Sequence, residues 1–211
     1  MKTYLSIDLD FWNFRPLSEC EKILQYAKAK AKRKGLNIKI VEEHHGIIND
    51  INATDCKRVV NIDYHSDIVN PEGFSGNIPL NCGTWGNFVK KSSRQEFIWV
   101  HPSSIPIKEG YCHFPLSRKC NPFFNPELAG WKVCKKMPVS TRNFPWNLWH
   151  DIVGIGFCTS YDYLHCYKAI RMLSVVGKIF GEDTVEDLME ETCMMECYKE
   201  DVRKIMEKET E

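Results

Sequence analysis

The segment Arg58–Ile68 reads RVVNIDYHSDI, and it joins an apolar run to three side chains of the kinds that bind metals. The run Arg58–Asp63 is rich in β-branched residues and predicts a buried strand. Asp63, His65 and Asp67 then follow at intervals of two residues. Because side chains alternate between the two faces of a strand, we expect these three groups to lean to one side where the strand gives way to its loop.

Further β-rich runs alternate with helical stretches along the chain, which is the pattern of an α/β fold with a mainly parallel sheet. We therefore expect one three-layer α/β/α domain over residues 1–211. The other predicted strands are Tyr4–Phe11, Asn37–Glu42, Glu96–Val100 and Asp151–Cys158.

Helical patterns and one long loop account for most of the remaining chain. Leu17–Lys34 predicts a helix that begins with Ser18 and Glu21 as a capping box. Seven of the ten prolines fall within residues 102–149, which predicts a loop-rich excursion. Apolar residues recur at helical spacing in the acidic stretch 184–208, which predicts a C-terminal amphipathic helix.

Composition argues against several classes of protein. Lysine plus arginine number 28, as do aspartate plus glutamate, so the net charge indicates neither a nucleic-acid nor a membrane partner. Carboxylates lie within the first ten residues and no apolar run reaches membrane-spanning length, which does not fit a signal peptide. Ten cysteines without a CxxC pair are typical of free thiols in a reducing compartment. We therefore expect a soluble cytoplasmic protein.

Two more predicted strands end in polar groups of the same kind. The first closes on Asp8 and Asp10, and the second is followed by Glu43, His44 and His45. In open α/β sheets the carboxyl ends of the strands form the ligand-binding edge. Carboxylates that are partly buried there need cations. The alternative for either segment alone is an amphipathic strand with one wet face.

We therefore expect six side chains from three strand ends to meet at one place, namely Asp8, Asp10, His44, Asp63, His65 and Asp67. Four carboxylates carry about four negative charges, which is what two divalent cations neutralise. Oxygen and nitrogen donors without a thiolate favour Mn²⁺, with Fe²⁺, Co²⁺ or Zn²⁺ as substitutes. Because two such ions supply a nucleophile from water at neutral pH, the count predicts a hydrolase with two Mn²⁺ per chain.

These motifs resemble those of the ureohydrolase (arginase) superfamily, which are a histidine after an acidic residue, a D-x-H-x-D and a D-x-D. They read here as Glu43-His44, Asp63-Tyr64-His65-Ser66-Asp67 and Asp8-Leu9-Asp10. The resemblance implies that three carboxylates bridge or help to bridge the metals, namely Asp8, Asp63 and Asp67. It also implies that His44 is terminal on one metal, with His65 and Asp10 on the other.

A narrower resemblance covers mainly the first hundred residues and, weakly, the DIVGIGF strand. The stretches SIDLDFW, VEEHHGI, VVNIDYHSDIV, LNCGTWGNFV and FIWVHP together resemble a small arginase-like family that includes peptide arginases, which convert arginine side chains of ribosomally made peptides to ornithine. In free-arginine arginases the D-x-D strand follows D-x-H-x-D, whereas here it comes first, which implies an arginase-like fold with permuted strand order. Loops that bind the α-amino and α-carboxyl groups of free arginine have no counterpart here. The resemblance therefore implies hydrolysis of peptidyl arginine, or of another guanidine-bearing molecule, with release of urea.

Hydrolysis of a guanidine also needs a carboxylate that holds the cation and a donor that protonates the departing amine. Glu19, at the start of the predicted helix, and Asp162, after the last predicted strand, are candidate carboxylates, with helix capping or a surface position as the alternative. His45 and His101 are the candidate proton shuttles. The candidates for lining the mouth of the site are Asn81 and Trp85, with core packing as the alternative for Trp85.

Two other functions stay open. A metal-dependent deacylase, which cuts an amide from a polyamine or another acylated amine, commonly needs one zinc and fewer carboxylates, so metal stoichiometry separates it from a two-metal hydrolase. A noncatalytic metal-binding module would keep the fold without turnover. Such a module would hydrolyse neither free nor peptidyl guanidines when Mn²⁺ is present.

Overall fold

One all-parallel sheet of six strands organises the part of the chain that the structure describes, and helices flank it, which confirms the predicted α/β fold. The structure is a computed structural model. It describes residues 1–13, 15–68, 77–102, 129–139, 143–160, 164, 166–181 and 183–185. The predicted C-terminal helix over residues 184–208 therefore lies almost wholly outside the described residues.

The strands lie in the order β2-β6-β1-β3-β4-β5 across the sheet, so that β2 and β5 form its edges. Because all five neighbouring pairs are parallel, the carboxyl ends of the strands share one edge of the sheet. The strands are β1 (Thr3–Asp8), β2 (Ile38–Val41), β3 (Arg58–Ile62), β4 (Glu96–Pro102), β5 (Val133–Val139) and β6 (Ile152–Cys158).

Helices cover both faces of the sheet and give the three predicted layers. The α-helices are α1 (Leu17–Lys34), α2 (Ile48–Ala53) and α3 (Cys166–Phe180). Short 3₁₀-helices span Leu9–Trp12, His44–Ile47, Trp85–Phe88, Lys91–Ser93 and Trp146–Trp149. α1 and α3 pack together on one face, and α2 lies on the other. Among the described helices, none combines the length and the apolar character needed to cross a bilayer.

The alternation of side chains along β1 sets which groups meet on which face. Leu5 and Ile7 belong to the core beneath α1 and α3, whereas Tyr4 belongs to the core beneath α2. Ser6 and Asp8 follow Tyr4 at intervals of two residues, so they share its face. Both are buried, and both therefore need polar partners within the protein.

The neighbouring strands β1 and β3 form a topological switch point. After β1 the chain enters α1 on one face of the sheet, and after β3 it reaches the 3₁₀-helix Trp85–Phe88 on the opposite face. In open α/β sheets a crevice opens at the carboxyl ends of such strands, and ligands bind there.

The first predicted strand is wrong beyond Asp8. The side chain of Asp8 accepts a hydrogen bond from the backbone N–H of Asp10 at 3.0 Å and so caps the 3₁₀-helix Leu9–Trp12, which ends β1 three residues earlier than Phe11. Asp10 thus reaches the sheet edge from a helical turn and not from the alternation of a strand.

The predicted helix Leu17–Lys34 matches α1 at both ends, but its predicted capping box is wrong. Pro16 occupies the N-cap, no side chain caps the helix, and Ser18 lies inside the first turn. Proline suits this place because it leaves no backbone N–H unpaired and holds φ near its helical value.

Strand β5 was not predicted, because it lies inside the predicted loop-rich excursion. Lys135, Lys136 and Pro138 interrupt any apolar alternation in this strand. Charged residues and proline are tolerated at the edge of a sheet, where one side of the strand pairs with no neighbour. The edge position therefore explains why a strand forms from a sequence that does not read as one.

Candidate metal centre

The carboxyl edge of the sheet brings the six predicted ligand side chains together. They lie at the end of β1, in the two 3₁₀-helices that follow β1 and β2, and in the loop after β3. Five of them are buried, whereas the side chain of His65 is 43% exposed. The ligand atoms form two groups, each compact enough to hold a metal ion, and Asp63 belongs to both groups. They are Asp8, His44 and Asp63, and Asp10, Asp63 and His65.

The first group surrounds one imidazole nitrogen. Nδ1 of His44 lies 3.0 Å from Oδ2 of Asp8, 3.0 Å from Oδ2 of Asp63 and 2.8 Å from Oδ2 of Asp67. Despite these short distances, this nitrogen makes no aligned hydrogen bond to any described residue. Neighbouring ligands of an octahedral ion, each about 2.1 Å from the metal, are themselves about 3.0 Å apart. The three distances from Nδ1 therefore match those between neighbouring ligands of a bound metal ion.

The second group uses the other oxygen of Asp63 and opens towards solvent. Nδ1 of His65 lies 2.8 Å from Oδ2 of Asp10 and 3.9 Å from Oδ1 of Asp63. Backbone amides hold these carboxylates, because Tyr64 donates to Oδ1 of Asp10 at 3.1 Å and His65 donates to Oδ1 of Asp63 at 2.7 Å. Asp63 thus presents one oxygen to each group.

Burial and mutual repulsion disfavour the ionised carboxylates. Burial raises the pKa of Asp63 to about 8, and the charges of Asp67 and Asp8 add to this effect. Burial also raises the pKa of Asp8, with a contribution from Asp10, and the pKa of Asp10, with a contribution from Asp63. Within the described ranges, the ion pairs of these carboxylates are with histidines and not with lysine or arginine.

The two histidines respond in the opposite sense to the same charges. Burial lowers the pKa of His44, but the carboxylates of Asp63, Asp67 and Asp8 outweigh it and raise its pKa well above the usual value. Burial lowers the pKa of His65 too, and Asp10 leads the groups that outweigh it and raise its pKa to about 10. The negative charge of the cluster therefore favours the binding of cations, either protons or metal ions.

Each of the three carboxylate oxygens near Nδ1 of His44 also has a neutral hydrogen-bond partner, and so does the other ring nitrogen of His44. Oδ2 of Asp8 accepts from Ser160 Oγ at 2.6 Å, Oδ2 of Asp63 from Asn61 Nδ2 at 3.1 Å, and Oδ2 of Asp67 from Trp85 Nε1 at 2.6 Å. Nε2 of His44 lies 2.5 Å from Ser6 Oγ. A hydrogen bond to the second ring nitrogen is the usual way in which proteins orient a metal-binding histidine.

The sequence analysis did not identify three of these partners. Ser6 precedes Asp8 by two residues on β1, and Asn61 on β3 precedes Asp63, just past the strand, by two residues, so strand alternation is a signal that finds them. Ser160 follows β6, and its residue type and spacing give no local signal. Only the position of β6 beside β1 brings it to Asp8.

The two candidate proton shuttles lie at the same edge of the sheet. His45 is adjacent to His44, and its Nδ1 lies 2.9 Å from Oε2 of Glu43. His101 is the penultimate residue of β4, where burial lowers its pKa, so its ring is neutral at neutral pH. Its Nδ1 lies 3.0 Å from the carbonyl oxygen of Pro102.

The candidate substrate-binding residues lie in different surroundings, and they do not form one cluster among the described residues. Glu19 accepts hydrogen bonds from Nε and Nη2 of Arg15 at 2.8 and 2.5 Å, so its carboxylate already binds a guanidinium of the chain itself. Asn81 is exposed, and its side chain accepts from the N–H of Gly83 in a turn. Trp85 is fully buried and lies behind the ligands, which is the core packing given as the alternative to lining the mouth of the site. Asp162 lies outside the described residues.

No family model, curated protein or solved structure matches this chain. The arginase-like resemblance therefore stays a prediction from the motifs. The case for a metal centre depends on the geometry, burial and charge of the six side chains themselves.

Proposed function

We propose that this protein is a metal-dependent hydrolase with a binuclear centre formed by Asp8, Asp10, His44, Asp63, His65 and Asp67. The observation that carries the proposal is the environment of His44 Nδ1, which faces three carboxylate oxygens within 3.0 Å and makes no aligned hydrogen bond to a described residue. A cation held by these side chains would account for the short distances and for the burial of so much negative charge.

Asp63 belongs to both groups of side chains, which supports two bound metal ions rather than one. Its Oδ2 lies 3.0 Å from Nδ1 of His44 and its Oδ1 lies 3.9 Å from Nδ1 of His65, so this one carboxylate would help to hold an ion in each group. Carboxylate and imidazole donors without a thiolate suit Mn²⁺, and Fe²⁺, Co²⁺ or Zn²⁺ are acceptable substitutes. A deacylase with a single zinc gives no account of the second group, which contains a buried carboxylate of its own in Asp10.

We propose the guanidine of a peptidyl arginine as the substrate, on the basis of the motif resemblance. In this reaction the bond between Cζ and Nε of the arginine breaks. Nε stays on the peptide and takes up both protons of the water to give the ammonium group of ornithine, while Cζ leaves with both Nη atoms and the oxygen of the water as urea. When bound, a pair of divalent ions supplies the attacking nucleophile from water at neutral pH.

His101 is the better of the two candidate proton shuttles on the geometry of its ring. As a neutral ring with Nδ1 at 3.0 Å from the Pro102 carbonyl, it carries its hydrogen on Nδ1 and has a free lone pair on Nε2. A ring in this tautomer can accept a proton at Nε2 and return it to the departing amine. Nδ1 of His45, by contrast, faces the carboxylate of Glu43.

The proposal is tested by incubating the Mn²⁺-loaded protein with a library of arginine-containing peptides, with free arginine and with agmatine. Mass spectrometry then reports loss of one carbon and two nitrogens from the side chain. We expect the loss on peptides and little on free arginine, and we expect none with Asp63→Ala protein. Activity on an acylated amine with one zinc per chain would identify a deacylase, and metal binding without turnover of any guanidine would identify a noncatalytic module.

A further inference from the structure

We infer that Trp85 is a positioning residue that sets the orientation of the Asp67 carboxylate towards the metal ion proposed beside His44. This inference rests on the proposed function, because it assigns a purpose to a side chain that contacts the ligands but offers no ligand atom itself. Trp85 is fully buried, and its Nε1 donates to Oδ2 of Asp67 at 2.6 Å. That oxygen is the one that lies 2.8 Å from Nδ1 of His44.

The backbone of Asp67 shows why this carboxylate needs a partner. Its φ angle is 54°, in the left-handed region that side chains other than glycine rarely adopt. The same residue ends the D-x-H-x-D segment, so no strand hydrogen bonds hold it. Its conformation therefore depends on contacts from outside its own segment.

Trp85 and its neighbour Gly86 supply those contacts at both ends of Asp67. The N–H of Gly86 donates to the backbone oxygen of Asp67 at 2.9 Å, while the indole N–H of Trp85 holds the carboxylate. Gly86 is required for this approach, because a Cβ there would lie 2.4 Å from Cγ1 of Ile68 and 2.9 Å from the Asp67 oxygen. Two consecutive residues thus fix the main chain and the side chain of one proposed ligand.

The indole is a suitable donor for this position because it is neutral, rigid and donor-only. A lysine or arginine there would neutralise the carboxylate and compete with the metal ion for it, whereas an indole N–H leaves the negative charge in place. The ring of Trp85 also packs against His44, with ring centroids 4.8 Å apart, so one side chain contacts two proposed ligands of the same ion.

The test compares Trp85→Phe with Trp149→Phe. Trp149 is equally buried, but its Nε1 bonds to none of the described residues. It belongs to the core on the opposite face of the sheet, so its replacement removes similar volume without affecting a ligand. Mn²⁺ titrations followed by electron paramagnetic resonance give the affinity, and melting of the chelator-treated proteins gives the stability. We expect Trp85→Phe to lower the Mn²⁺ affinity by about 10–100-fold and Trp149→Phe to leave it unchanged.

A closer substitution separates the hydrogen bond from the ring. Benzothienylalanine at position 85 keeps the shape of the indole but places sulfur where the N–H was, and it also serves if Trp85→Phe fails to fold. We expect this protein to melt within a few degrees of the wild type without metal and to show the same loss of Mn²⁺ affinity. Wild-type affinity in the benzothienylalanine protein would overturn the inference while leaving the proposed function standing. If the wild-type protein itself bound no Mn²⁺, both the proposed function and the inference would fall.

Discussion

Oδ2 of Asp63 lies 3.0 Å from Nδ1 of His44, although Asp63 follows β3 and His44 follows the edge strand β2, with β6 and β1 between them. The contact is made because the 3₁₀-helix His44–Ile47 turns back over β6 towards the middle of the sheet. A histidine from one edge and a carboxylate from the centre thereby face each other in the interior of the protein.

This relationship predicts that Asp63 is needed by both ions, whereas Asp10 is needed by one. Asp63→Ala removes an oxygen from each group, and we expect no Mn²⁺ to remain bound after gel filtration. Asp10→Ala leaves the His44 group intact, and we expect it to retain one ion per chain. Atomic emission measures the ratio, with the wild type as the control at two. Retention of both ions by Asp63→Ala protein would be incompatible with the shared carboxylate.

A second prediction concerns Gly156 in β6, which lies beneath the 3₁₀-helix that carries His44. A Cβ at this position would lie 2.8 Å from Cγ2 of Ile47 and 2.8 Å from Oη of Tyr4. We expect Gly156→Ala to lower the free energy of unfolding by about 1–3 kcal/mol and to weaken Mn²⁺ binding, because Ile47 and His44 must shift together. Urea denaturation measures the first effect and a metal titration measures the second.

Gly83→Ala is the matched control for that substitution. Among the described atoms, a Cβ at Gly83 would meet Oδ1 of Asn81 alone, at 3.7 Å, which is ordinary contact. We expect its free energy of unfolding and Mn²⁺ affinity to stay near those of the wild type. Equal effects of the two alanine substitutions would show that the close approach over β6 is not what places His44.

The pH dependence of metal stabilisation is a third prediction. In the metal-free protein, burial raises the pKa of Asp63 to about 8, so the stability gained by its protonation is present at low pH and is lost as the pH rises through about 8. His65, with its pKa raised to about 10 by Asp10 against the effect of burial, likewise stabilises the fold when charged and loses that contribution at higher pH. Both groups therefore make the metal-free protein less stable as the pH rises.

Bound Mn²⁺ neutralises the same carboxylates without protons, so its stabilising effect should grow with pH. At about 100 times its Kd, each ion adds about 2.7 kcal/mol to the free energy of unfolding. We expect the difference in melting temperature between Mn²⁺-loaded and chelator-treated protein to increase from about pH 6 to about pH 8.5. Differential scanning fluorimetry measures it, and a difference that shrinks over this range would contradict the prediction.

A fourth prediction concerns Ser160, which contributes a hydrogen bond from β6 to Oδ2 of Asp8. Its hydroxyl carries no charge, so Ser160→Ala should weaken Mn²⁺ binding by about tenfold without changing the number of ions bound. Ser66→Ala is a control from the loop after β3, because the hydroxyl of Ser66 bonds the backbone oxygen of Ile68 and no proposed ligand. Isothermal titration calorimetry of both proteins decides the point, and equal affinities would remove the role assigned to Ser160.

Several elements were predictable because their signal lies in adjacent residues. The apolar runs of β3 and β6 and the helical spacing of α1 were each correctly placed, since burial on a parallel sheet and along a helix face leaves a repeating pattern. The grouping of Asp63 with His44 followed from the rule that parallel strands end at a common edge. Whether these groups hold metal ions stays a prediction.

Other features were not predictable because they depend on contacts between distant parts of the chain. Asp10 lies in a 3₁₀-helix that Asp8 caps. The alternating residues of this segment predict a continued strand and do not indicate the change to a helix. Ser160 reaches Asp8 only because β6 is inserted between β2 and β1. The burial of Trp85 behind Asp67 follows from packing against His44 and Phe97, which the spacing of the NCGTWGN segment does not reveal.

The central claim is that these side chains hold a pair of metal ions, and anomalous diffraction from crystals grown with Mn²⁺ tests it most directly. We predict two anomalous peaks at the carboxyl edge of the sheet, one within the His44 group and one within the His65 group, with Asp63 in contact with both. A well-ordered site that shows neither peak at saturating Mn²⁺ would contradict the claim.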